Sequence, residues 1–186
     1  DPSDALYHGI LSGLYENSPV KKNICGSVRS VSKMTPEDLY RAYGAHYRPD
    51  NMVLSICGKC DLKKTVEILD RILPEKPSAP LPEKRYPAEK AECHRRFVRL
   101  YKDVSTPMIA IGIKVPPFKG SPLERIERFA ALCILAQALF SPGGRFAGQL
   151  KELNLVPDEP SYELNDRLAF SHILFFADCY DPPALF

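Results

Sequence analysis

Tryptophan is missing from this 186-residue chain, and its four histidines, His8, His46, His94 and His172, stand far apart. Neither H-E-x-x-H nor H-x-x-E-H occurs, so no helix presents two imidazoles to one metal. There is no G-x-S-x-G, which leaves out a serine nucleophile elbow, and the glycines of Ser141–Arg145 (SPGGR) lack the Lys-Ser/Thr ending of a phosphate loop. Basic runs are lacking too: formal net charge is +2 with Lys and Arg dispersed, which argues against a nucleic-acid footprint. The longest apolar run, Phe129–Phe140, falls short of the roughly 20 residues that span a bilayer, so no membrane segment is expected.

Six cysteines are present, scattered rather than framed, a usage that suits a reducing compartment and points to a cytoplasmic protein. Cys57 and Cys60 form a C-x-x-C that could act as a thiol redox site where a strand meets a helix. The stronger reading is structural, as the end of a strand and the approach to a helix cap. Zinc binding would need two further ligands; no second C-x-x-C occurs, and the adjacent Cys93 and His94 would have to converge from across a proline-rich stretch. For the histidines, packing or capping is the expected role, as for His46 at a helix C-terminus and His172 on an aromatic strand. The SPGGR run reads as a helix–helix turn.

The most legible stretch is residues 35–61, TPEDLYRAYGAHYRPDNMVLSICGKCD. Thr35 and Asp38 make a capping box with Pro36 at the first helical position, and Leu39, Tyr43 and Tyr47 give one apolar face before Pro49 stops the helix. Met52–Cys57 alternates as a strand whose two apolar faces predict a central position, and Asp61 caps a helix with Leu62, Val66, Leu69 and Leu73 inward, closed by Pro74.

Elsewhere the periodicity predicts a helix over residues 3–15, with Leu6, Ile10 and Leu14 on one face, and a loop over 20–34. Residues 74–92 carry five prolines and eight charges, the composition of a stiff, solvated linker. Strands follow at 96–102 and 107–115. Ser121 and Glu124 start a long helix, Pro122–Phe140, on a stripe of Leu123, Ile126, Ala130, Cys133, Gln137 and Phe140, with its second half apolar all round and expected to be buried. A shorter helix with Phe146, Leu150 and Leu153 and a hairpin of residues 160–165 and 169–180 complete an α+β pattern with antiparallel pairing. The chain opens DPSDAL without an initiator Met, as an excised piece would.

Residues 19–73, with TPEDLYRAYGAHYRPDNMVLSICGKCD near their centre, resemble the segment of pitrilysin/insulinase-type zinc metallopeptidases in which a loop carrying Gly26 and Ser27 precedes this helix and strand. STPMIAIGIKVPP, the long helix ending SPGGRFAGQLKELNLV and the hairpin after it are similar to the opening of that family's second domain, and the chain looks like its bacterial processing-peptidase-like branch. The resemblance implies antiparallel sheets backed by helices, of the mitochondrial-processing-peptidase-like repeat type, with parts of two homologous repeats: residues 1–73 the rear half of the first, 74–92 a linker, and 93–186 the front half of a second, noncatalytic repeat.

It also implies zinc in the full-length parent, held by H-x-x-E-H and a downstream Glu, and an extended peptide as substrate. Both the motif and the third ligand would lie upstream of Asp1, and an Arg and Tyr pair of the second domain beyond Phe186. The helix at Pro122–Phe140 occupies the pseudo-equivalent place without a metal ligand, so no catalytic, cofactor or metal residue is expected in this chain. A noncatalytic partner or structural subunit on the same fold is the alternative. Because the repeats are homologous, their halves could pair within one chain or exchange between copies in a homo- or heterodimer.

Overall fold

The computed structural model describes residues 1–73 and 80–185. The predicted helix stop at Pro74 and the first prolines of the expected linker lie outside them. The chain divides into two compact units, one made of Asp1–Ile24 with Tyr86–Phe186 and the other of Cys25–Arg85. The first unit therefore joins the first helix to everything after the linker.

In the first unit, α1 (Pro2–Leu14) starts on Asp1, whose side chain accepts from the Ser3 amide. Three antiparallel strands, β1 (Met108–Lys114), β2 (Ser161–Asp166) and β3 (Ser171–Asp178), lie in the order β1-β3-β2. Because side chains alternate along a strand, β3 feeds two layers. Ile173, Phe175 and Ala177 pack with Ala136, Phe140, Leu150 and Val156 on one face. Leu174, on the other, joins Leu11, Leu14 and Tyr15 of the α1 region. The close approach of α1 depends on Gly112, where an added Cβ would stand 2.9 Å from Leu14 Cδ1 and 3.0 Å from Ile10 Cγ1.

The second layer is α5 (Pro122–Phe140) and α6 (Arg145–Glu152), and the ends of α5 fall where the capping box of Ser121 and Glu124 and the break after Phe140 place them. Its second half is not buried all round. Ala136 and Phe140 are covered while Ile134 is 71% exposed, so the inward stripe runs through Cys133, Ala136 and Phe140 and leaves Leu123 and Ile126 outside. A helix on a sheet covers one face only, and among the described residues no further layer covers the other. Pro122–Glu152 is long and apolar enough by composition to cross a membrane. However, the turn at 141–144 divides it, and the uncharged run Phe129–Phe140 rises only about 18 Å against a hydrocarbon core of about 30 Å.

Residues 96–102, expected as a strand, carry no ladder. They follow a crossing in which the Arg95 amide donates to Gly13 O at 2.8 Å, and Leu100 meets the place where a Gly9 side chain would be.

The second unit holds α2 (Val28–Val31), a short helix inside the stretch expected as loop, α3 (Pro36–His46) with the predicted Thr35–Asp38 box, and α4 (Leu62–Ile72) capped by Asp61. The segment 52–57 forms no ladder, and Val53 is 98% exposed, so the expected central strand is not formed. Alternation makes a strand only where another strand completes its ladder, and among the described residues none does. Among the described residues of this unit no hydrophobic side chain is buried. Arg48 is, its guanidinium donating to both oxygens of Asp50 at 2.9 and 2.7 Å.

Candidate functional site

The singled-out residues do not converge. Cys57 and Cys60 are free and exposed, on either side of Gly58, whose φ of 144° suits glycine alone, and Cys57 ends an unpaired segment rather than a strand. Cys93 is also exposed. His46 closes α3, and its carbonyl accepts from Asn51 Nδ2 at 2.9 Å. His8 Nε2 lies 3.4 Å from Asp4, one turn earlier, and His94 Nδ1 lies 4.0 Å from Glu16. Each is a pair at most. Among the described residues no group of three His, Cys, Asp or Glu side chains is placed to hold a metal ion. The described residues therefore do not fit a zinc centre. At SPGGR, the Gly144 amide donates back to Ser141 O at 2.7 Å, and a Cβ on Gly144 would meet Ala138 O at 2.8 Å, which makes this run a tight helix–helix turn.

Two polar clusters in the first unit were not visible in the sequence. On the α1 face of the sheet, Lys114 of β1, His172 of β3 and Asn165 of β2 form one row, and Gly112, Leu174 and Glu163 the next. His172 is fully buried. Tyr15 Oη lies 3.0 Å from His172 Nδ1 and donates to Ser171 O at 3.0 Å, while Asn165 Nδ2 lies 3.4 Å from His172 Nε2. One proton arrangement satisfies all three contacts: Nδ1–H donates to Tyr15, Tyr15 donates to the carbonyl, and Nε2 accepts from Asn165. Asn165 also donates to Glu163 Oε1, which receives the Tyr7 hydroxyl at 3.1 Å. Burial pushes the imidazole down to about 4 and the Tyr15 phenol upward, so the histidine is neutral. Both its nitrogens are engaged, which leaves neither for a metal or for proton transfer to a ligand.

The second cluster surrounds Glu89, within the stretch expected to be a solvated linker. Its carboxylate accepts from the amides of Glu16, Asn17 and Ser18, each at 2.8 Å, and lies 3.4 Å from Lys114 Nζ. Burial works to raise its pKa, but the three amides and the lysine outweigh burial and hold it at about 2. Proline content and charge had marked this stretch as linker, and nothing in its pattern distinguishes Glu89 from Glu83 or Glu92.

A cleft of about 660 Å³ opens between α1, residues 96–104 and the start of β1. Leu6, Ile10, Phe97 and Met108 line it with Arg96, Arg99 and Lys102, and among the described residues no Asp, Glu, His or Cys is in its walls, so it offers shape and positive charge without a carboxylate, imidazole or thiol.

A family model described as the peptidase M16 inactive domain matches residues 33–165, more than half of the chain. The chain belongs to the peptidase M16 family. It is 27% identical over its whole length to the uncharacterized zinc protease YmfH of Bacillus subtilis, covering 44% of that protein. It is 25% identical to the non-peptidase homolog YmxG of Helicobacter pylori, over 90% of this chain and 36% of that one. The crystal structure of a putative M16-like peptidase from Alicyclobacillus acidocaldarius superposes at a TM-score of 0.81 with 29% identity, over 99% of this chain and 44% of that one. The M16 chain described here thus spans less than half the length of these relatives, and its fold is that of an M16-like peptidase, α+β with an antiparallel sheet backed by helices.

Proposed function

We propose that this chain is the noncatalytic central part of a zinc-dependent endopeptidase that cleaves extended peptides when whole. The observation that carries the reading is the match to the inactive domain of the M16 family, joined to relatives named zinc proteases. In this reading residues 1–73 close one repeat, 74–92 link, and 93–186 open a second repeat. The zinc ligands and the water-activating Glu are supplied by other parts of the parent, which works in a bacterial cytoplasm.

Zinc analysis and cleavage of internally quenched peptides test this directly. The isolated chain is expected to bind no stoichiometric zinc and to cleave nothing, and the full-length parent to do both. Zinc-dependent cleavage by the chain alone would refute the proposal.

The relative named a non-peptidase homolog favours one second reading, a noncatalytic subunit on the same fold that pairs with an active partner. The gene upstream of Asp1 separates the two: H-x-x-E-H there supports the peptidase, and its loss supports the subunit. Redox chemistry at Cys57 and Cys60 requires that iodoacetamide label them faster than a model thiol; equal rates dismiss it.

A further inference from the structure

The chain leaves the first unit after Ile24 and returns at Tyr86. Glu89 is an anchor close to the return point. Residues 80–88 are exposed, and the Glu89 side chain is 9% exposed. Its partners belong to the outgoing segment: three successive amides just past the end of α1, where backbone donors have no helical acceptor of their own. Three N–H groups converging on one carboxylate make a strong anion site, because each bond is charge-assisted.

The cation of the site is positioned without Glu89. Lys114 Nζ donates to Leu14 O at 3.1 Å and to Glu92 O at 3.1 Å and stands 4.8 Å from the centre of the Tyr15 ring. With 6% of its side chain exposed, it has little freedom to follow a departing carboxylate. Beyond the site the returning segment is held independently, by the Arg95 amide on Gly13 O. Around the carboxylate, Asn17 Nδ2 donates to Ala88 O at 3.1 Å and Lys90 pairs with Glu16 at 3.1 Å, both at the solvent surface where such contacts contribute little.

We propose that the amides of Glu16, Asn17 and Ser18, with Lys114, form a carboxylate-binding site that the chain fills with its own Glu89, and that this contact latches the outgoing and returning segments together. With Glu89 removed, the site accepts a small carboxylate from solution.

The test uses the whole chain with Glu89→Ala and Glu89→Gln, the second keeping one acceptor should the first fold poorly. Amide exchange at Glu16, Asn17 and Ser18 is expected to rise about tenfold or more in Glu89→Ala, and less in Glu89→Gln, with the amides of β3 unchanged. Trypsin cleavage after Lys84 and Arg85 is expected to quicken in step. Sodium acetate or formate at neutral pH should slow both in Glu89→Ala, and chloride of equal ionic strength should not.

Unchanged exchange at the three amides in both variants overturns the site. Rescue by chloride as effective as by acetate shows screening rather than a carboxylate site and overturns it equally. Faster exchange with unchanged trypsin cleavage overturns the latch. None of these readouts depends on zinc or peptidase activity.

Discussion

His172 is a base held neutral in the middle of a sheet, and the sign of its effect on stability follows from its surroundings. The groups facing it are Tyr15 from the end of α1, Lys114 from β1, Asn165 from β2 and the ring of Phe170, stacked at 5.7 Å between centroids. Tyr15 already accepts from Nδ1–H, so a second proton would fall on Nε2, where the Asn165 amide group is a donor; burial already holds the group at about 4 against an ordinary 6.5. The unfolded chain therefore takes up a proton below about pH 6.5 that the folded chain refuses until about pH 4, so stability is full above that window and falls through it as pH falls. Between pH 7 and pH 5 this amounts to about 2 kcal/mol. Urea denaturation at the two pH values measures it. The wild-type chain should lose more stability than His172→Gln by about that amount, and an equal loss in both would remove the histidine from the account. Glu89 acts in the same direction but lower, between its ordinary 4.5 and about 2, so it leaves the comparison at pH 5 largely undisturbed.

Among the elements, those set by their own residues were legible and those set by partners were not. The capping boxes at Thr35 and Ser121, the Asp61 cap and the turn at Gly144 all act over three or four positions, and the helices begin and end there as the sequence says. The segment 52–57 has the alternation of a strand and 96–102 has something close to it. A ladder, however, is a property of two segments, and no partner is present among the described residues. The polar row of Lys114, His172 and Asn165 is hidden for the same reason, since only the pairing of β1, β3 and β2 brings them side by side. Gly112 falls within residues 107–115, expected as a strand, and it sets how closely α1 approaches the sheet. Gly112→Val should cost about 1–3 kcal/mol, because Leu14 is itself buried and cannot swing clear. Denaturant midpoints check this, with Gly148→Ala as control: an added Cβ there meets nothing within 4 Å, and in α6 it should be neutral or mildly stabilising. A Gly112→Val midpoint equal to wild type would mean that α1 does not rest on the sheet there.

At the scale of the whole molecule the two units differ in how they bury apolar surface. The first has a layered core on both faces of β3. The second exposes Tyr43, Val53, Leu54 and Ile56 while carrying helices with well-made caps and a segment with the pattern of a central strand. Residues so patterned for burial and left so bare are the kind of surface that a further partner would cover. On the proposed function that partner is the remainder of the M16 parent, since the chain accounts for 44% of the length of its full-length relative from Bacillus subtilis. The two contexts give opposite expectations for one substitution. In this chain Val53, 98% exposed, should accept Val53→Lys within about 0.5 kcal/mol and with less self-association by light scattering. In the full-length parent the same lysine would be forced under protein, and thermal unfolding should show a loss of about 2 kcal/mol or more. If the parent tolerated Val53→Lys as well as this chain does, the exposed segment would be true surface, and the second unit would owe its order to its own helices and to the Arg48–Asp50 pair rather than to packing against the rest of a peptidase.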